Sequence, residues 1–191
     1  MRPLAVDEVR PPAAYEAVRA EALRRMVEQT RPRCIAVGDL ITLLFENRVT
    51  VAGAVEEQLR AGQIDEPERI AEEVAVFNAL IPGERELAGT LFLETEDAAA
   101  QGRRMRELPG ISGHVHLEVD GARAERVATG AAALELGDEP VEYLRFRLTE
   151  EQCAAISAGG EVVVCCDHPA HRARTLLDET QRRALAEDLG R

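Results

Sequence analysis

Tryptophan is absent from this sequence, and aromatic residues make up only 3% of it. Its core has to be filled with Leu, Val, Ile and Ala, and binding that stacks bases on aromatic platforms is disfavoured. No apolar run reaches the roughly 18 residues that a membrane-spanning helix needs, so no membrane insertion is expected. The opening MRPLAVDEVRPP lacks a long apolar stretch and carries early acids, so it does not read as a signal peptide. The four cysteines (Cys34, Cys153, Cys165 and Cys166) follow no framework spacing. They are expected as reduced thiols of a cytoplasmic protein. Internal repeats, linkers and low-complexity tracts are missing. So is a glycine-rich phosphate loop, because Gly159-Gly160 has neither a strand before it nor a helix after it. There is no Ser/His/Asp order and no nucleophile elbow.

What is present suits one globular domain. A chain of 191 residues buries roughly 70% of its unfolded surface and needs no disulfide or metal to fold. The net charge of −12 repels polyphosphate. Basic pairs such as Arg24-Arg25 and Arg103-Arg104 are interleaved with acids and read as solvated helix faces, so no nucleic-acid partner is expected.

Periodicity lays out the elements. Tyr15, Val18, Ala22 and Met26 predict a helix from about Ala13 to Gln29, stopped at Thr30-Arg31-Pro32. Cys34 to Val37 and Leu40 to Phe45 predict a hairpin around Gly38-Asp39, with Gly first as a II′ turn requires. The second strand is apolar throughout, as a central, doubly covered strand would be. Val51, Val55 and Leu59 predict a helix over 49–61, ending at Gly62. A helix over 65–81 should be capped by Asp65 and bury Ile70, Val74 and Phe77. Leu87 to Glu94 reads as a strand, 97–108 as a helix and His114 to Glu118 as a strand. Asp120-Gly121 turns that strand into a partner over Ala122–Ala128, and 130–140 reads as a loop. Val141 to Leu148 is a strand, and Thr149-Glu150-Glu151-Gln152 is a capping box opening a helix that ends at Gly159-Gly160. Glu161 to Cys166 is a buried strand. A last helix is capped by Asp178 and carries Leu185 and Leu189 on one face. Helices first and mostly antiparallel strands later predict an α+β fold, a single domain over 1–191 with N-terminal and flanking helices.

All four histidines fall in two tight groups. In His114-x-His116-x-Glu118, strand alternation puts the three side chains on one face. Two imidazoles and a carboxylate so placed suit a first-row metal. In Cys166-Asp167-His168-Pro169-Ala170-His171, Pro169 suits the second position of a β-turn, with His168 and His171 as its ends. Joined, the groups offer four nitrogens plus Glu118, Asp167 or Cys166. Against this, His114 and Glu118 also fit a solvated sheet face, and His168 also fits a backbone cap. The His-x-His resembles a cupin strand, but the Glu follows too soon. Cys165-Cys166 reads as two small buried hydrophobes or as a redox pair. No lysine stands nearby to activate either thiol, although His168 is close in sequence. Phe45-Glu46-Asn47-Arg48-Val49-Thr50 joins a buried strand to a helix. Asn47 or Thr50 suits its cap, while Glu46 and Arg48 pair across the junction or bind a charged ligand or partner.

Leu43-Leu44-Phe45-Glu46-Asn47-Arg48, Pro82-Gly83-Glu84, Glu86-Leu87, Thr90-Leu91-Phe92 and Asp167-His168-Pro169 resemble a bacterial family of unknown function, of about this chain's length. The resemblance runs over nearly the whole chain. It implies no reaction. It implies a redox neighbourhood, since members are often encoded beside rubrerythrin-like proteins and iron–sulfur oxidoreductases resembling heterodisulfide reductase subunits. Glu46, Arg48, Asp167, His168 and Pro169 match the family pattern. An aromatic is implied at 171 and a variable residue at 116, where this chain has His171 and His116.

Two functions are therefore expected, from different classes. The first is an accessory or partner subunit of a cytoplasmic redox module. Glu46, Arg48, Asp167 and His168 would face a partner such as the rubrerythrin-like or iron–sulfur protein. The alternative is a small metal-dependent enzyme using His114, His116, His168 and His171. No cofactor motif is present, and a divalent transition metal is the one cofactor the residues suggest.

Overall fold

Pro12 opens the first helix, α1 (Pro12–Glu16), where its missing N–H costs nothing. The computed structural model describes residues 1–94, 108–128 and 142–190. The helix expected over 97–108, apart from its last residue, and the loop expected over 130–140 lie outside them. The single helix expected from Ala13 to Gln29 is two. The backbone leaves helical geometry at Val18 before α2 (Arg19–Thr30) begins. The break lets Tyr15 turn inward, where its hydroxyl donates to Glu57 at 2.7 Å, while Arg19 reaches the same carboxylate. The predicted stripe does not form: α2 buries no residue, and Val18 is exposed.

Strands β1 (Cys34–Val37) and β2 (Ile41–Glu46) form the expected hairpin, with Val37 paired to Ile41. The connection is therefore three residues, not two, with Gly38 at φ +71°, in the left-handed region that favours glycine. Ile41, Leu43 and Phe45 are buried on one face of β2, and Thr42 and Leu44 are half-buried on the other. Asn47 caps α3 (Arg48–Ala61). Its side-chain oxygen accepts from the amides of Val49 and Thr50, and the Thr50 hydroxyl accepts from the Asn47 amide. Helix α4 (Pro67–Asn78) starts at Pro67 without help from Asp65, whose expected capping bond is not made. Ile70, Val74 and Phe77 are buried as their spacing predicts. With Val51, Val55 and Leu59 of α3, and Leu4 and Val9, they form a helical core.

The remaining strands are β3 (Glu86–Leu93), β4 (Val115–Val119), β5 (Ala122–Arg123), β6 (Glu125–Arg126), β7 (Glu142–Arg147), β8 (Val162–His168) and β9 (His171–Leu176). Helix α5 (Glu150–Ser157) starts at the Thr149 capping box, and α6 (Glu179–Leu189) is capped by Asp178. Two antiparallel sheets result, ordered β1-β2-β3-β7-β6 and β5-β4-β8-β9. The strand expected over Ala122–Ala128 is shared between them. Two residues pair with β4, the Ala124 amide donates to the Leu117 carbonyl at 2.8 Å, and β6 then pairs with β7. At the opposite seam, the Thr175 hydroxyl donates to the Ala36 carbonyl at 2.7 Å, which ties β9 to β1. Both sheets turn apolar faces to one core, filled by Leu43, Phe45, Phe146, Leu117 and Val164 with Ile156 of α5 and Leu185 of α6. This is the α+β fold expected from the order of elements.

Candidate functional site

The register of β4, β8 and β9 decides which side chains meet. His116 lies opposite Cys165, and Cys165 opposite Arg174. Directly paired residues share a face, as do residues two apart along a strand. One face therefore carries His116, Glu118, Cys165, Asp167, Arg172 and Arg174. The other carries Val115, Leu117, Cys166, His168 and Ala173, and looks into the core. Adjacent in sequence, Cys165 and Cys166 point to opposite faces, and both are free and buried.

On the polar face the charges interlock. Asp167 accepts from His114 Nδ1 at 3.0 Å, a bond that holds its carboxyl below the ordinary aspartate range. His114 itself ends a 3-10 turn (Ile111–His114) rather than lying in the strand, and its ring stands edge-on to His168 at 4.9 Å. Glu118 accepts from Arg174 at 2.8 Å, which chiefly keeps its carboxyl low. His116 Nε2 lies 3.3 Å from the other Glu118 oxygen. His116 Nδ1 is buried and has no hydrogen-bond partner among the described residues. Its nearest acid is the Asp167 Oδ2, at 3.9 Å. Burial pushes the Cys165 thiol up, and the neighbouring Glu118 charge adds to the shift. One ligand atom from each of His116, Glu118 and Cys165 lies within 4.8 Å of the others. His116 and Cys165, with Asp167, Arg172 and Arg174, border an open pocket of about 470 Å³. A larger groove of about 760 Å³ between α2 and α3 is bordered by residues such as Arg25, Met26 and Glu56, with no histidine or cysteine.

The residues singled out in the sequence are only partly brought together. The expected β-turn is present, with His168 paired to His171 across Pro169-Ala170. Yet His168 Nδ1 accepts the Ala170 amide, at 3.2 Å, and Asp167 orients His114 rather than His168. His171 Nε2 donates to the Val37 carbonyl at 2.7 Å and so pins the first hairpin. The four imidazoles therefore do not converge on one centre: His116 faces away from the core, while His168 and His171 face inward. Glu46 lies on the other sheet, buried on its helix-covered face. It accepts from the hydroxyls of Thr50 and of Thr90, the latter at 2.7 Å. Burial pushes its carboxyl up against the pull of those bonds, and the nearby Tyr143 phenol is pushed up to about 12, chiefly by its own burial. Arg48 does not pair with Glu46; it reaches Glu8.

Two residues escaped sequence reasoning, Arg174 and Asp188, and Cys165 enters it only together with Cys166. Cys165 and Arg174 join the site through strand register, which no local pattern displays. Asp188, near the end of α6, is buried. It holds Arg33 at 2.6 Å and the Asn47 amide at 3.1 Å.

Fold and site together define an α+β protein with two antiparallel sheets on one core and a polar, imidazole- and thiol-bearing face on the smaller sheet. The chain belongs to the family described as "Protein of unknown function (DUF3501)", whose model matches residues 3–189. It is similar to a solved structure from Burkholderia pseudomallei K96243, described as a novel protein of unknown function. The two share 27% identity over 98% of this chain and 100% of that one, with a TM-score of 0.89. No curated protein matches the sequence.

Proposed function

We propose that this protein is an accessory subunit that docks onto a partner in a cytoplasmic redox module, through the outer face of β4, β8 and β9. The supporting observation is the layout of that face. Asp167, Arg172 and Arg174 are exposed on an open sheet, one acid beside two bases, with Asp167 bonded to His114 and Arg174 to Glu118. Such a layout suits charge-complementary recognition of a macromolecule better than enclosure of a small substrate. Of the four residues expected at the contact, Asp167 offers its charge to solvent. His168 backs the His114 ring, and Glu46 and Arg48 fix the scaffold at the start of α3. The family resemblance supplies the class of partner, a rubrerythrin-like or iron–sulfur protein.

All 23 basic residues are arginine, so amine-directed cross-linkers have no lysine to attack. A photo-reactive amino acid at position 172, expressed in the native host, is the better probe. Capture of an iron–sulfur or rubrerythrin-like protein, lost in Asp167→Arg at unchanged melting temperature, is the expected result. Capture that survives Asp167→Arg, or finds no redox protein, overturns the reading. The alternative, a small metal-dependent enzyme, draws its support from the ligand-type side chains on this same face.

A further inference from the structure

We propose that His116 Nε2, Glu118 Oε1 and Cys165 Sγ bind one divalent transition-metal ion of the zinc class. The inference concerns the isolated chain and stands or falls apart from the docking reading. It deepens the alternative by replacing a four-imidazole centre with a mixed nitrogen, oxygen and sulfur set.

The strands dictate the grouping. His116 and Glu118 are two apart on β4, and Cys165 sits directly across from His116 on β8. Zinc-class ions take Cys sulfur at about 2.3 Å and His nitrogen or carboxylate oxygen at about 2.0–2.2 Å. In a tetrahedron of those radii the ligand atoms stand about 3.3–3.8 Å apart. One ligand atom of each side chain already lies within 4.8 Å of the others, and His116 Nε2 and Glu118 Oε1 are at 3.3 Å. Side-chain rotation alone spans the difference.

The surroundings fit a cation. A thiolate and a carboxylate supply two negative charges against the two positive charges of the ion, where Cys165 is 2% exposed and His116 is 9% exposed. Arg174, exposed on the outer side, reaches both Glu118 oxygens, Oε2 at 2.8 Å and Oε1 at 3.4 Å, and Oε1 also lies 3.3 Å from His116 Nε2. His116 Nδ1 is buried and has no hydrogen-bond partner among the described residues. In the Nε2–H tautomer, which lets the ring donate to Glu118, Nδ1 is a lone pair that accepts from none of them. With a metal on Nε2, the proton moves to Nδ1, which then faces Asp167 Oδ2 across 3.9 Å. A carboxylate behind the second nitrogen is the usual support of a metal-binding histidine. Asp167 is in turn steadied by His114 at 3.0 Å. Three protein ligands, of which His116 and Cys165 border an open pocket, leave a fourth position for water or a small anion.

The test is anaerobic titration of tag-free, reduced protein with Co²⁺, followed by absorption spectroscopy. One equivalent should bind, with a thiolate-to-cobalt charge-transfer band and d–d absorption of tetrahedral strength. Cys165→Ser should remove the band, and Cys34→Ser should keep it. Asp167→Asn should keep the band and weaken affinity about 10- to 100-fold. His116→Asn is the second ligand variant, needed because Cys165 is packed in the sheet. It should abolish stoichiometric binding with the far-UV circular dichroism unchanged. No stoichiometric binding, binding without the sulfur band, or a band that survives Cys165→Ser overturns the assignment.

Discussion

Replacing Asp188 by Ala should destabilise the fold more than any surface change. The Asp188 carboxylate is buried with Arg33, and the ion pair closes through Nε at 2.6 Å and Nη2 at 3.1 Å. Arg33 retains the carbonyls of Gln29 and Ala184, which carry no net charge. Removing one partner of a buried pair leaves the other charge uncompensated, which costs about 3–5 kcal/mol. The Asn47 amide also loses its acceptor, within the same total because the three groups form one network. For a chain of this size that corresponds to a drop in melting temperature of about 6–20 °C. With no tryptophan to report on unfolding, urea denaturation is best followed by far-UV circular dichroism. The double variant Arg33→Met/Asp188→Leu should recover at least half of the loss, because it removes both charges and restores apolar volume. The Asn47 amide stays unpaired and prevents full recovery. A loss below about 1 kcal/mol for Asp188→Ala, or a double variant no better than the single, would refute the reasoning.

Glu46 should make stability fall with rising pH. Its folded carboxyl is raised above the unfolded value of about 4.3, so the native state holds the proton more tightly, and stability declines from that pH upward through the folded pKa. Glu46→Gln should flatten this decline, with a gain over the wild type that grows as the pH rises above the unfolded carboxylate value; parallel stability curves for the two proteins would contradict it. Phe77, buried in the helical core, should cost about 3–5 kcal/mol when replaced by Ala, and a urea midpoint close to that of the wild type would show that the site collapses around the smaller side chain.

Elements whose signals are local were legible in the sequence. The Thr149 capping box, the Asn47 cap and the Ile70, Val74 and Phe77 stripe each rest on residues a turn or two apart. The misread elements are those decided at long range. Nothing near Ala17 announces a helix break, because its cause is the contact of Tyr15 and Arg19 with Glu57, about forty residues away. The switch of sheets at Ala124 is set by a bond to Leu117 and by the space beside β7. Asp65 had the composition of a cap, but Pro67 fixes the start of α4 two residues on.

The site divides in the same way. His114-x-His116-x-Glu118 showed by its period that two of its members face together, and Pro169 showed where β8 turns back. Which histidines share a centre depends on register, and register placed Cys165 rather than His168 opposite His116. His168 and His171 then fall on the inward face, where one takes a backbone amide and the other holds the first hairpin. Both proposals use the outer face of β4, β8 and β9, and the residues they rest on make them separable. The docking face rests on Asp167, Arg172 and Arg174, and the metal on His116, Glu118 and Cys165, with Asp167 common to both. The resemblance implies that position 116 varies within the family. A relative without histidine there would keep the charged face, and lose the nitrogen ligand and the proton switch that His116 supplies. The metal proposal thus concerns this chain, and the docking proposal the fold that carries it.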